Sequence, residues 1–225
     1  VPEPWSSTSS TVPRPITSAA LRRPVTTKWW MSWITSIDHK RVEILYGITA
    51  MAFFVIGGLE ALLIRLQLAQ PNGRILDANA YNQVFTMHGT TLVFLVVMPL
   101  GAAFMNYLIP LQIGARDVAF PRLNALSYWT FLFGGIFLYS SVFLGGMPNG
   151  GWFGYAPNTS IVYSPGHNID FWIGGLLITG IASTVGAVNL IVTCLNIRAP
   201  GMRLFRLPVF TWFSLVTPFL LLFAL

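Results

Sequence analysis

At 225 residues, the chain is 54% hydrophobic and only 9% charged, against roughly 25% charged in soluble domains. A soluble core of this size cannot hide so much apolar surface, so the composition implies a lipid bilayer as the medium. The net charge of +6 does not argue for nucleic acid, nor for a basic surface built for an acidic partner. The basic residues fall between long apolar runs, where membrane topology signals lie. The single cysteine, Cys194, sits in an apolar run and cannot form an intrachain disulfide.

Residues 1–28 are rich in Ser, Thr, Pro and Arg and contain no apolar core of a secretory signal. They read as a disordered, cytoplasmic tail that is taken to residue 32, with one membrane domain over 33–225. Trp29, Trp30 and Trp33 precede the first apolar run, at the level of an inner interfacial aromatic belt. Apolar runs then follow at approximately 42–66, 83–110, 125–144 and 172–197, and a fifth begins at 208. Each of the first four is long enough to cross about 30 Å of hydrocarbon at 1.5 Å per residue. Backbone exposed to lipid has no water to bond, so these runs are predicted to be helices. Gln70-Pro71-Asn72-Gly73 and the glycine-rich stretch 145–151 mark irregular connections. The predicted fold is all-α, a polytopic transmembrane helix bundle with four spans and part of a fifth. The sequence begins without Met and ends inside an apolar run, as a fragment or a processed piece would.

Alternating spans put Arg14, Arg22, Arg23, Lys28, Lys40, Arg41, Arg116, Arg122, Arg198, Arg203 and Arg206 on one side of the membrane. Only Arg65 and Arg74 fall on the other. The positive-inside rule makes the side with the N-terminus cytoplasmic, or its equivalent.

Of the three histidines, His39 immediately precedes the first span and reads as a solvated interfacial residue, and His167 reads as a surface loop residue. His88 lies inside the second apolar run, where an ionisable side chain is a functional-site hypothesis by default. Its alternatives are a neutral imidazole bonded to a neighbouring helix and a haem ligand, which needs its second nitrogen held by an acceptor. The small residues Gly89, Thr90 and Thr91 would permit a flat macrocycle to approach.

Several stretches together resemble subunit I of the haem-copper oxidases. They are Ile37-Asp38-His39-Lys40, Leu63-Ile64-Arg65, Tyr81-Asn82 through Met87-His88-Gly89, Asn106-Tyr107-Leu108-Ile109-Pro110-Leu111, and Ile113-Gly114-Ala115-Arg116-Asp117-Val118-Ala119-Phe120-Pro121-Arg122-Leu123-Asn124. Gly186-Ala187-Val188-Asn189 and Asn196-Ile197-Arg198-Ala199-Pro200-Gly201-Met202 extend the match. The resemblance implies that His88 is an axial ligand of the low-spin haem iron, haem a in the aa3-type enzymes. It implies that Arg65 bonds a peripheral haem substituent, although snorkelling to the outer interface would equally account for that arginine. It also sets Trp152 beside the haem propionates, with an interfacial anchor as the alternative.

The topology collects polar side chains near the inner leaflet: Asp117 in a short loop, Asn106, Asn124, Ser127, Tyr46 and Asn189, with Thr179 and Ser183 farther up the fourth span. Taken singly, each could be a helix cap or an interhelical hydrogen bond. Together they are similar to the aspartate-gated proton intake of the A-type oxidases, with Asp117 as its entrance. Ala125 and Ala182 stand where many relatives carry a second asparagine and a further serine, which thins the expected water path.

The resemblance implies a proton-translocating terminal oxidase that passes electrons from cytochrome c to oxygen, of which this segment alone is inactive. The high-spin haem, copper B and their ligands belong to sequence beyond Leu225. Implied partners are subunit II with copper A, subunit III, cytochrome c and the lipid bilayer, and no nucleic acid. A bacterial inner (plasma) membrane is expected ahead of the mitochondrial inner membrane. Alternatives are a quinol oxidase subunit I, a nitric oxide reductase relative and a cofactor-free transporter.

Overall fold

The computed structural model describes residues 29–144 and 146–224. The tail expected over 1–32 therefore lies, as far as residue 28, outside the described residues. The chain divides into two compact units, with the boundary between Thr35 and Ser36. The described part of the first is α1, Trp29–Ile34, in which the Trp29 and Trp33 rings meet edge to face at 6.4 Å.

The second unit contains helices and turns and, among the described residues, no strand. Helix α2, His39–Gln67, starts where the Asp38 side chain accepts the Lys40 backbone N–H. Such a cap satisfies one of the four amides that every helix start leaves open. Its buried stripe of Val42, Glu43, Tyr46, Ala50, Phe53 and Gly57 follows helical periodicity. The opposite face presents Ile48, Val55, Leu59 and Leu62 outward, as a helix facing lipid does. At its end the Gln67 side chain organises the turn, donating to Gly73 O and accepting from Ile75 N and Leu76 N.

Helix α3, Ala78–Thr90, is capped by Asp77 and continues through a π-helical stretch, Thr91–Val97, into α4, Met98–Ile113. Pro99 explains the wide turn: it has no N–H, and its ring crowds the carbonyl four residues back. Met98 N–H reaches Val93 O instead. The helix ends at Gly114, in the left-handed conformation. Helix α5 covers Pro121–Leu144 and α6 covers Asn168–Asn196; a 3-10 turn, Leu204–Arg206, leads to α7, Val209–Ala224.

Four helical stretches, His39–Gln67, Ala78–Ile113, Pro121–Leu144 and Asn168–Asn196, are long and apolar enough to cross a membrane. Each begins several residues before the apolar run predicted from sequence, because polar caps and first turns carry the helix past its hydrophobic part. Helices α5 and α6 pack closely through glycine: a Cβ on Gly175 would lie 2.9 Å from the Leu138 Cβ. Close backbone approach is how helices associate where lipid removes the hydrophobic drive.

Contacts between ends fix the topology. The His39 side chain meets Asp117, and Ala199 N–H donates to Ile113 O, at one end. Asn149 Nδ2 donates to Asn79 Oδ1 at the other. Lys40, Arg41, Arg116, Arg122, Arg198, Arg203 and Arg206 thus belong to one end, hereafter the basic end, as alternation of spans requires.

Candidate functional site

His88 lies in the last turn of α3, toward the end opposite the basic residues. Its Nδ1 is 2.9 Å from the Gly57 carbonyl oxygen of α2. A carbonyl oxygen only accepts, so Nδ1 carries the hydrogen and the Nε2 lone pair is left available. Nε2 has no hydrogen-bond partner among the described residues. Beside it, Gly89 makes room for Trp152: a Cβ there would lie 2.8 Å from the Trp152 Cβ. Trp152 is held in place because Gly151 N–H donates to Thr86 Oγ1 at 2.9 Å.

The small residues after His88 do not present the open face that the sequence suggested. Thr90 and Thr91 are fully buried. Thr90 Oγ1 accepts from the Trp172 indole, and Thr91 Oγ1 pairs with the Tyr139 hydroxyl. Only Gly89 serves close approach, and what approaches is an indole. Arg65 is exposed eight residues beyond Gly57 and makes no hydrogen bond or ion pair with any described residue. The structure seats Trp152 against Gly89, the neighbour of His88 in α3.

At the basic end, polar side chains of α2 meet those of α5, of α4 and of the loop between them in a ladder. In its first rung, His39 Nδ1 is 3.0 Å from Asp117 Oδ1. His39 is 2% exposed, not a solvated interfacial residue, because its ring turns into the bundle to meet the loop aspartate. The Asp117 side chain is 30% exposed. Partial burial alone would raise its pKa, but the His39 hydrogen bond, the Val118 amide and the His39 charge together hold it below the ordinary carboxylate value. In the second rung, Asn124 Nδ2 donates to Glu43 Oε1 at 2.8 Å, and Asn106 Nδ2 reaches Asn124 Oδ1 at 3.5 Å. In the third, Tyr46 and Ser127 are 2.8 Å apart. Ser127 gives its one hydroxyl proton to Ala182 O, so Tyr46 is the donor.

The other predicted polar residues divide. Asn189 Oδ1 accepts Phe120 N–H and Thr193 Oγ1 accepts Ala119 N–H, so α6 clamps the Asp117 loop. Thr179 and Ser183 donate to carbonyls of their own helix. Even so, Thr179 and Ser183 line one cavity of about 770 Å³ together with Tyr46, Asn106 and Ser127. Trp172 lines it too, and Trp172 bonds Thr90, so the cavity extends from Asn106 toward the level of His88. Five of the eight predicted proton-path residues therefore share a cavity.

A family model described as cytochrome c and quinol oxidase polypeptide I matches residues 41–225. The chain belongs to that family. It is 55% identical over 192 residues to the cytochrome c oxidase subunit 1 of Bacillus sp. (strain PS3), covering 85% of this chain and 31% of that one. It is 52% identical to the cytochrome c oxidase subunit 1 of Bacillus subtilis (strain 168), over 88% of this chain and 32% of the relative. The quinol oxidase subunit 1 of Bacillus spizizenii is 46% identical over 88% of this chain and 30% of its own length. The chain thus spans about a third of the length of the curated relatives it matches.

The residues at His88 fit the haem of a family that carries haem and copper. The imidazole has a fixed tautomer, an available Nε2 and a carbonyl acceptor behind it, the pattern in which a ligating histidine is held. Sequence reasoning missed two carboxyls of the first span. Glu43 is 2% exposed within the ladder, and Glu60 accepts the Tyr139 hydroxyl proton at 3.0 Å. A signal existed: any acidic residue inside an apolar run is costly and points to function. Glu43 follows Lys40 and Arg41 closely at the start of the first apolar run.

Proposed function

We propose that this chain is part of the catalytic subunit of a bacterial terminal oxidase, one that reduces oxygen to water with electrons from cytochrome c and translocates protons. In this reading His88 is an axial ligand of the low-spin haem iron. The observation that carries it is the Nδ1–Gly57 hydrogen bond, which leaves Nε2 free to bind metal. Such a haem, of the a type, would supply one-electron transfer, its potential set by the ligands and by the hydrogen bonds behind them. This chain's own contribution is to hold the imidazole: Gly57 fixes its tautomer, and Trp152 packs against Gly89, the next residue of the same helix. Arg65 would serve a peripheral haem substituent, and Trp152 the propionates.

Protons would enter at the basic end, past Asp117, and pass Asn106, Asn124, Tyr46 and Ser127 toward Thr179 and Ser183. The shared cavity and the low pKa of Asp117 support this, since an ionised carboxylate at an entrance attracts protons from bulk water. Asn189 supports the path from outside it, by holding the loop. The excess of Lys and Arg at this end supports its placement in the cytoplasm, with the chain in a plasma membrane. Subunits II and III, cytochrome c, the high-spin haem and copper B would complete the enzyme.

The test uses the intact complex. A reduced-minus-oxidised visible spectrum reports haem type and coordination, and oxygen consumption with reduced cytochrome c against quinol identifies the donor. A colourless complex would reject the reading. Turnover with quinol alone would move it to the quinol oxidases, which the 46% identical relative keeps in view.

A further inference from the structure

We propose that Glu43 is a proton-accepting station in the intake path, a carboxyl between Asp117 and the cavity; this rests on the proton-intake reading above. The geometry begins with spacing. His39, Glu43 and Tyr46 share one face of α2, separated by about 6 Å and about 4.5 Å along the axis. Across from them stand Asp117, Asn124 and Ser127, each bonded to its opposite number. Glu43 is therefore the middle rung, between the loop carboxylate and the hydroxyl pair that lines the cavity.

A carboxyl at this place is not explained by packing. Glu43 is 2% exposed, and only one of its two oxygens has a protein partner: Asn124 Nδ2 serves Oε1, while Oε2 has none among the described residues. Three further buried atoms nearby share that condition, namely His39 Nε2, Asn106 Oδ1 and Asn189 Nδ2. Buried polar atoms without protein partners are satisfied by ordered water, and a carboxyl that meets such water can exchange a proton with it. The groups facing Glu43 are Tyr46 from its own helix, Asn124 from α5 and Asn106 from α4, the last two neutral; the His39–Asp117 pair forms the rung before it.

The step balances without a further reactant. Glu43 carboxylate takes a proton from a hydronium ion relayed past Asp117, forming an O–H bond as one of the hydronium's breaks and leaving water. It then gives that proton to water on the Tyr46 side and returns to carboxylate. No electron moves at this site. The amides of Asn124 and Asn106 orient the group and do not exchange protons themselves.

The test compares Glu43→Gln with Asp117→Asn in the assembled, purified oxidase, following proton uptake with a pH dye during single turnover. Gln keeps an oxygen for Asn124 Nδ2 and loses only the titrating group. Glu43→Gln is expected to slow uptake by about tenfold, as one added barrier of that size would, with an unaltered haem spectrum. Wild-type uptake in Glu43→Gln together with slow uptake in Asp117→Asn would overturn the station and leave the intake reading standing. Wild-type uptake in both would overturn both. If Glu43→Gln fails to assemble, redox-induced infrared difference spectra of wild type and Glu43→Asp carry the test. A deuterium-sensitive carboxyl C=O band that changes in Glu43→Asp supports the proposal, and identical bands overturn it.

Discussion

Gly89→Ala tests whether Trp152 is seated against the helix that carries His88. The added Cβ would lie 2.8 Å from Trp152 Cβ, 3.1 Å from Cγ and 3.2 Å from Cδ1. Carbon atoms rest at about 3.5–4.0 Å, so the indole must retreat by about 0.7 Å or more. Retreat is resisted: Gly151 N–H is bonded to Thr86 Oγ1, and the Phe94 ring lies 6.5 Å from the indole. Forcing a methyl into such a contact costs about 1–3 kcal/mol. Alanine recovers about 1 kcal/mol of helix propensity, which leaves a net loss of up to about 2 kcal/mol. The control is Gly101→Ala, since nothing lies within 4 Å of a Cβ at Gly101. Thermal loss of the low-spin haem absorbance in the purified complex, with hydrogen exchange at the Gly151 amide, measures the effect. Gly89→Ala should melt earlier and exchange faster, and Gly101→Ala should match or exceed wild type. Equal stability in the two variants would refute the packing argument.

His39→Ala should return the Asp117 pKa toward the ordinary carboxylate range. The folded-state value is depressed, so the contact stabilises the loop above the unfolded carboxylate pKa and is lost as pH falls through the folded one. In the variant, the acid limb of Val118 amide protection should therefore move to higher pH, and an unmoved limb would contradict the pairing. Asn189→Ala leaves Phe120 N–H without its acceptor, a loss of about 1–3 kcal/mol; it should show as faster exchange confined to residues 115–120. Tyr139→Phe removes the donor to Glu60 Oε1 in the last third of α2. It should lower thermal stability by about 0.6–1.7 kcal/mol, the scale of intramembrane hydrogen bonds, and a rise in stability would show that Glu60 does not need the phenol.

The spans were legible because a bilayer leaves one backbone solution for an apolar run, and the charge asymmetry of their ends was equally plain. The π-helical turn at Thr91–Val97 was not, although Pro99 two residues beyond it supplied the cause. His88 stood out as a lone imidazole in an apolar helix, but its Gly57 partner could not be found from sequence, since any of the four helices offers carbonyls at that depth. Asp117, Asn106, Asn124, Tyr46 and Ser127 were placed correctly at one end by topology alone. What topology could not give was pairing. It left His39 at the surface when its ring turns inward to Asp117, and it did not show that the Asn189 amide oxygen accepts Phe120 N–H and so holds the loop. Glu43 stands directly behind Lys40 and Arg41 in sequence, and only its burial and its Asn124 partner mark it as part of the polar row.

The account depends most on His88. In the assembled complex, replacing His88 with Ala should abolish the reduced-minus-oxidised band of the low-spin haem while the remaining subunits still copurify. A full-amplitude low-spin band in that variant would contradict the assignment of this histidine and the function built on it.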